Sequence, residues 1–347
     1  MENEKINSKG TEENKEKEGI FWNSFWLLCI LLSIVLISIS CFFINDFNNN
    51  IRKYNLKYRW PKLIDLIPSL YLLPMIICYK LFIEYLSKDF VEYCLSKKYK
   101  HPKLKELKDK YRLKLSRHLY KITFYTGITI FGYYVLKDLP YFPKSMGGKG
   151  YMPAMFLPGF PNSYFHEKPP LFDFYYNLNL AYFFCDFIFL IISERQSDFI
   201  NMLLHHICTI SLILFSFMTN YSNIGCLVIF CHMQSDIIGH AIRFVVQTDL
   251  PIFIIGLTGI SFLSNFIYMR QYVFGDMIYT IYKYITWKWD IITFMLWLFL
   301  VILYIMHFRW SAILLVKEGQ IVFQKKRVTD GIKYNDEKNY ENKIHEN

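Results

Sequence analysis

Apolar residues in this chain are gathered into long blocks, and the charged ones crowd into the two tails and a few stretches between blocks. From Ile20 to Ile44 no charged residue interrupts the sequence, a run longer than the roughly 20 residues a membrane-spanning helix needs. Its flank (Glu12, Glu13, Lys15, Glu16, Lys17, Glu18) is mixed in charge, and the run is too long for a cleaved leader. It is read as a retained first helix. Further apolar blocks predict spans at 64–86, 119–136, 173–192, 200–220, 223–246, 250–269 and 290–315. The pattern therefore predicts an all-α polytopic membrane protein with about eight transmembrane helices, an even number that puts both termini on one side.

Composition agrees: 53% of residues are hydrophobic yet 20% are charged, with a net charge of +10, and this segregation overrides the two soluble domains that 347 residues alone would suggest. Lys and Arg outside the spans are twice as numerous on the side holding both termini, which predicts cytosolic termini. The 87–118 loop is the most basic stretch. It lacks the aromatic interleaving or helix-turn-helix pattern of a nucleic-acid reader, so attraction to anionic lipid or a phosphorylated substrate is the better reading. Residues 1–19 are polar and read as a disordered tail. The Pro-rich 137–172 loop reads as an ordered or lid-like connection. The sequon Asn220-Tyr221-Ser222 reads as a tight turn rather than a glycan site. Seven of the eight cysteines lie in apolar runs and are expected as free packing thiols.

Ionisable side chains inside spans are costly, so each is a functional candidate. On the sixth span His232, Asp236, His240 and Arg243 follow at i, i+4, i+8 and i+11 and share one face. On the fifth, Asp198, His205, Thr209 and Ser216 share another, and His206 points about 100° away. If the chain reverses at Tyr221 and Ser222, His205 and Asp236 differ in depth by only about 3 Å, so a histidine and a carboxylate are expected to meet inside the membrane.

Such a pair can simply fix helix packing; two matched stripes favour chemistry. An imidazole oriented by a carboxylate suits general-base or nucleophilic acyl transfer. The histidine spacing lacks the clustered series of membrane di-iron oxygenases, so no metal is expected. Cys208 and Cys231 sit in apolar surroundings that disfavour a thiolate, and no GxSxG elbow is present.

The segment Ser193 to Arg243 resembles the Lag1 motif of ceramide synthases, a TLC-domain membrane acyltransferase family. The matching residues are Ser197-Asp198-Phe199, His205-His206, Thr209, Ser216, Asn220, Gly225, His232, Ser235-Asp236 and Arg243, with Arg117–Gly127 and Phe172–Tyr176 upstream. The resemblance implies that the last six helices form a bundle around a tunnel in the endoplasmic reticulum membrane. Its domains would then be the 1–19 tail, two peripheral helices and a basic loop at 20–112, a TLC domain at 113–316 with its motif at 195–243, and a polar tail at 317–347.

By the same resemblance the activity would be transfer of a fatty acyl group from acyl-CoA, as co-substrate and with no bound cofactor, to a sphingoid base such as sphinganine, giving dihydroceramide. His205 and Asp236 would be catalytic with His206 and His232 supporting, and Arg195, Asp198, Thr209, Ser235 and Arg243 would bind substrate. The implied partners are acyl-CoA, the long-chain base and membrane lipid, without nucleic acid, and a homo- or heterodimer is compatible with it. The 271–288 segment, read as a luminal loop, would tune acyl-chain length. Departures from the family pattern fall at Met233, at His240 where an acidic residue is usual, and at Arg195-Gln196. The competing class is a non-catalytic TLC-domain lipid sensor, carrier or translocation-associated protein.

Overall fold

A computed structural model describes residues 31, 33–35, 37–38, 61–95, 105–155, 168–193, 199–248, 250–285 and 291–324. Its helices are α1 (Pro68–Leu86), α2 (Lys88–Cys94), α3 (Lys105–Leu136), α4 (Phe172–Ile192), α5 (Phe199–Met218), α6 (Ser222–Val245), α7 (Ile252–Ile267), α8 (Phe274–Ile285) and α9 (Ile291–Gln324). A π-helical segment, Tyr268–Val273, joins α7 to α8 without a break. Among the described residues the only β pairing is a single bridge between Leu95 and Thr248.

Among the described residues six stretches are long and apolar enough to cross a membrane: Leu63–Leu86, Phe172–Ile192, Phe199–Met218, Ser222–Val245, Ile252–Tyr284 and Ile291–Val316. The protein is thus an all-α polytopic membrane protein. The expected third span, 119–136, is the C-terminal half of α3, where Lys121 and several tyrosines dilute the apolar character. Of the expected first helix, residues 31, 33–35, 37 and 38 are described and helical; Ser33 Oγ lies 3.7 Å from Cys208 Sγ on α5, and Ile37 packs on the core.

The sequence accounts for the ends of these helices. Pro68 opens α1, where its missing N–H costs nothing, and Pro251 precedes α7. Between α5 and α6 the backbone reverses through Asn220 in the left-handed region (φ 59°), which Asn tolerates after a helix C-terminus. Asn220 is buried, at 7% exposure, so the sequon is a turn, as its position suggested.

Within the bundle α3 packs on α4 and α6, α4 on α5, α5 on α9, α9 on α7, and α7 on α6, closing a ring of six helices; α1 lies outside against α3 and α4. Tyr175, Tyr176, Leu204, Cys208, Leu227, Phe230, Phe274, Phe299 and Leu303 fill the ring's core. One end of the bundle is basic. There α2 and the charged first half of α3 form a small separate core of Val91, Leu95, Tyr111 and Leu115. The opposite end is capped by the 137–155 stretch, whose Tyr141 hydroxyl donates to Asn223 Oδ1 at 3.0 Å, so the described part of the Pro-rich connection is ordered.

Two expectations need correction. The 87–118 stretch is not one loop: α2 and the first half of α3 are helical within it. Nor does a loop begin at Gln271, because the helix runs on to Ile285. An arginine ends a hydropathy window, but this arginine is buried and paired inside the ring.

Candidate active site

α5, α6 and α9 bring imidazoles together at mid-ring. The His205 ring stacks on His232 at 5.6 Å between centroids, and His232 lies 5.0 Å from His307 and His205 5.7 Å from His206. Trp310 closes the far side of His205 at 5.4 Å. His232 Nδ1 sits 2.8 Å from the Val228 carbonyl, one turn back on its own helix. Only a protonated Nδ1 suits that contact, so Nε2 carries the lone pair. That Nε2, with Nδ1 of His205, His206 and His307, is buried and has no protein partner.

Arg270 organises this layer from the π-helical segment. π-turns insert a residue into a helix and often mark functional positions; here the turn carries a side chain that is 2% exposed. Its Nη2 donates to Asp236 Oδ1 at 2.6 Å and to the His232 carbonyl at 3.2 Å, Nε donates to Ser235 Oγ at 2.6 Å, and Nη1 lies 3.4 Å from His307 Nε2. The expected contact between His205 and Asp236 is therefore not formed. Within 4.0 Å, Asp236 pairs with Arg270, and the carboxylate that reaches the tandem histidines is Asp186 on α4, 3.5 Å from His206 Nε2. Asp186 is also held by Lys121 of α3 at 2.8 Å.

Cavities lie on both sides of the layer. Toward the capped end a narrow apolar one of about 30 Å³ is lined by Thr209, Leu212, Ser216, Ile281, Leu296 and Trp297, among others. Toward the basic end one of about 200 Å³ is lined by Lys114, Arg117, Lys121, Asp186, His206 and Arg243, and also by His118 and His240. Along α5, Phe199, Met202 and His206 line the basic cavity and Thr209, Leu212 and Ser216 the apolar one, while His205 lines neither and faces the other imidazoles. Among the described residues no group of three His, Cys, Asp or Glu is arranged to hold a metal ion.

The TLC-domain family model matches residues 114–316, more than half of the chain. The chain belongs to the TLC-domain family. It is 25% identical over 162 residues to ASC1-like protein 3 of Oryza sativa subsp. japonica, covering 46% of this chain and 53% of that protein. It is 26% identical over 124 residues to ceramide synthase hyl-1 of Caenorhabditis elegans, covering 36% and 31%. With sphingosine N-acyltransferase lag1 of Schizosaccharomyces pombe it shares 26% identity over 112 residues, covering 31% and 28%. The chain thus spans about half the length of the first of these relatives and under a third of the other two.

Within this TLC domain the expected site residues divide. His205, His206 and His232 form the imidazole layer, and Asp236 borders it through Arg270. The Thr209 hydroxyl bonds back to the His205 carbonyl at 2.7 Å, so only its remaining surface lines the apolar cavity. Ser235 donates to the His232 carbonyl at 3.0 Å and accepts from Arg270, which makes it a positioning group rather than an open substrate contact. Arg243 lies at the basic cavity; Arg195 and Asp198 lie outside the described residues. Arg270, Asp186, Lys121 and His307 were missed. The costly-charge argument already applied to α5 and α6 would have found Lys121, Asp186 and His307 inside their own predicted spans, whereas Arg270 falls one residue past the 250–269 span.

Proposed function

We propose that this protein is an acyl-CoA-dependent sphingoid base N-acyltransferase of the endoplasmic reticulum membrane, with both termini and the basic end of the bundle facing the cytosol. The observation that carries the reading is the imidazole layer with unpartnered buried nitrogens, lying between a cationic cavity and an apolar one inside a membrane-embedded ring. An acyl-CoA has the matching polarity. Its phosphates suit Lys114, Arg117, Lys121 and Arg243, its acyl chain suits the apolar slot once side chains such as Leu212 and Trp297 give way, and its thioester would then lie at the histidines. The names of two relatives, ceramide synthase and sphingosine N-acyltransferase, supply the acceptor class.

A thioester is already activated, so the chain's task is to orient it, exclude water and move a proton. His205 either takes the proton of the attacking amine or carries the acyl group as an acyl-imidazole; both routes need a neutral ring with one free nitrogen. Asp236 and Ser235 act at one remove, holding Arg270 against His232.

Purified protein incubated with sphinganine and palmitoyl-CoA is expected to give dihydroceramide detectable by mass spectrometry, and His205→Ala is expected to abolish it while the protein still inserts into membranes. A second reading, a non-catalytic lipid sensor or carrier, is favoured by one observation: Asp236 is engaged in an ion pair that also serves helix packing. Lipid bound without consumption of acyl-CoA would establish it in place of the enzyme.

A further inference from the structure

Two polar groupings beside the imidazole layer are not used by the acyl transfer itself. In the first, Asp186 is held by Lys121 and lies against His206 Nε2. In the second, His118 Nδ1 and His240 Nδ1 are 3.0 Å apart, so one ring donates to the other and the pair shares a single proton. His240 is buried against the Tyr125 ring at 5.4 Å, and the Tyr125 hydroxyl accepts from Tyr182 at 2.7 Å. His118 is half-buried as a residue, with its Nε2 enclosed and without a protein partner. Both groupings line the same basic cavity, whose volume of about 200 Å³ is room for several waters.

The chemistry needs such a line. A long-chain amine arrives as its ammonium; forming the N–C bond and breaking the C–S bond turns ammonium and thioester into amide, thiol and one surplus proton. One amine proton ends on the thiolate sulfur, and the other must leave a layer walled by Arg270 and Trp310.

We infer that His206, oriented by Asp186 and Lys121, passes this proton through the basic cavity to the His240–His118 pair, which releases it at the mouth. The inference rests on the acyl-transfer reading. Every element around the pair bears on it: Lys80 from α1, itself paired with Glu84, Lys114, Arg117 and Lys121 from α3, Arg243 from α6, Asp186 from α4 and His206 from α5. Five cations and one carboxylate line the cavity, so a proton entering it is driven on toward the mouth.

The test is turnover of the His118→Ala/His240→Ala variant with saturating acyl-CoA and sphinganine, in dilute buffer and with added imidazole. The expected result is a kcat about tenfold below wild type in dilute buffer, restored as imidazole is raised, with both KM values unchanged and wild type indifferent to buffer. If the His240 change prevents folding, His118→Ala at the half-buried end carries the same test. A variant as fast as wild type in dilute buffer, or a loss that imidazole does not restore, overturns the relay alone. A wild-type protein that makes no amide overturns the reading beneath it.

Discussion

Arg270 and Asp236 are joined across α6 and the π-helical segment at 2.6 Å, with the arginine side chain 2% exposed and the carboxylate 31%. Removing the arginine leaves a carboxylate that is mostly enclosed without its cation. Arg270→Met is therefore expected to cost about 3 kcal/mol, and Arg270→Met/Asp236→Asn to recover most of that loss. Thermal unfolding of the single and double variants in detergent checks this; a double variant no more stable than Arg270→Met would mean that Asp236 does not depend on the arginine.

The same pair shows where the sequence stopped being legible. The spans could be read because lipid-facing helices need long apolar runs whatever their neighbours, and the Asn220 turn because Asn suits a left-handed end. Helical periodicity on α5 and α6 put His205 and His232 on facing stripes, but it gave no sign of His307 on α9. Depth alone made His205 and Asp236 level, but which groups meet depends on every helix in the ring. Arg270 arrives from a helix that the hydropathy pattern ended one residue too soon, and Asp186 from a helix read only as a span. The basic helix 105–118 reads as a loop for a related reason: Leu107, Tyr111, Leu115 and Leu119 recur every fourth residue, but this narrow stripe is outweighed by the density of charge around it.

Chain-length selectivity offers a second test. Ile281, on α8, lies within the 271–288 segment that the family resemblance singled out, and it lines the narrow apolar cavity with Leu296 and Trp297. If that slot takes the acyl chain, Ile281→Phe shortens it and Leu296→Ala lengthens it. Filling or opening one side chain's volume is expected to change the ratio of long to short products about tenfold. The product profile from an equimolar mixture of acyl-CoAs measures it, and a profile unmoved by both changes would place the acyl chain elsewhere.

Gly225 marks the tightest contact among α4, α5 and α6. A Cβ there would lie 2.5 Å from the Tyr176 hydroxyl and 2.8 Å from Ser216 Oγ, two groups that bond each other at 2.6 Å while Tyr176 also donates to the Ile213 carbonyl at 2.8 Å. Gly225→Ala should destabilise by about 1–3 kcal/mol through overpacking. Adding Tyr176→Phe removes the nearest clashing atom and should return part of the loss in a melting experiment. No recovery would show that the strain lies elsewhere.

Outside the spans, the junction of α2 with α3 should depend on pH. Glu92 takes a hydrogen bond from Lys108 and lies 3.4 Å from Arg112. Chiefly the Lys108 hydrogen bond and charge, then Arg112, hold its carboxyl below the usual carboxylate range. A carboxyl whose folded value is depressed stabilises the fold above its unfolded value, and that contribution is lost as pH falls through the folded one. The contribution is thus constant near neutrality and disappears only below the usual carboxylate range. Hydrogen exchange in residues 88–95, corrected for intrinsic rates, should show wild type better protected than Glu92→Gln at neutral pH, with the two converging in acid. High salt should narrow the gap as well, since these side chains are 26% to 41% exposed and screening reaches them. A gap that persists in acid would mean that the packing of Val91, Leu95, Tyr111 and Leu115, rather than the ion pairs, fixes α2 to α3.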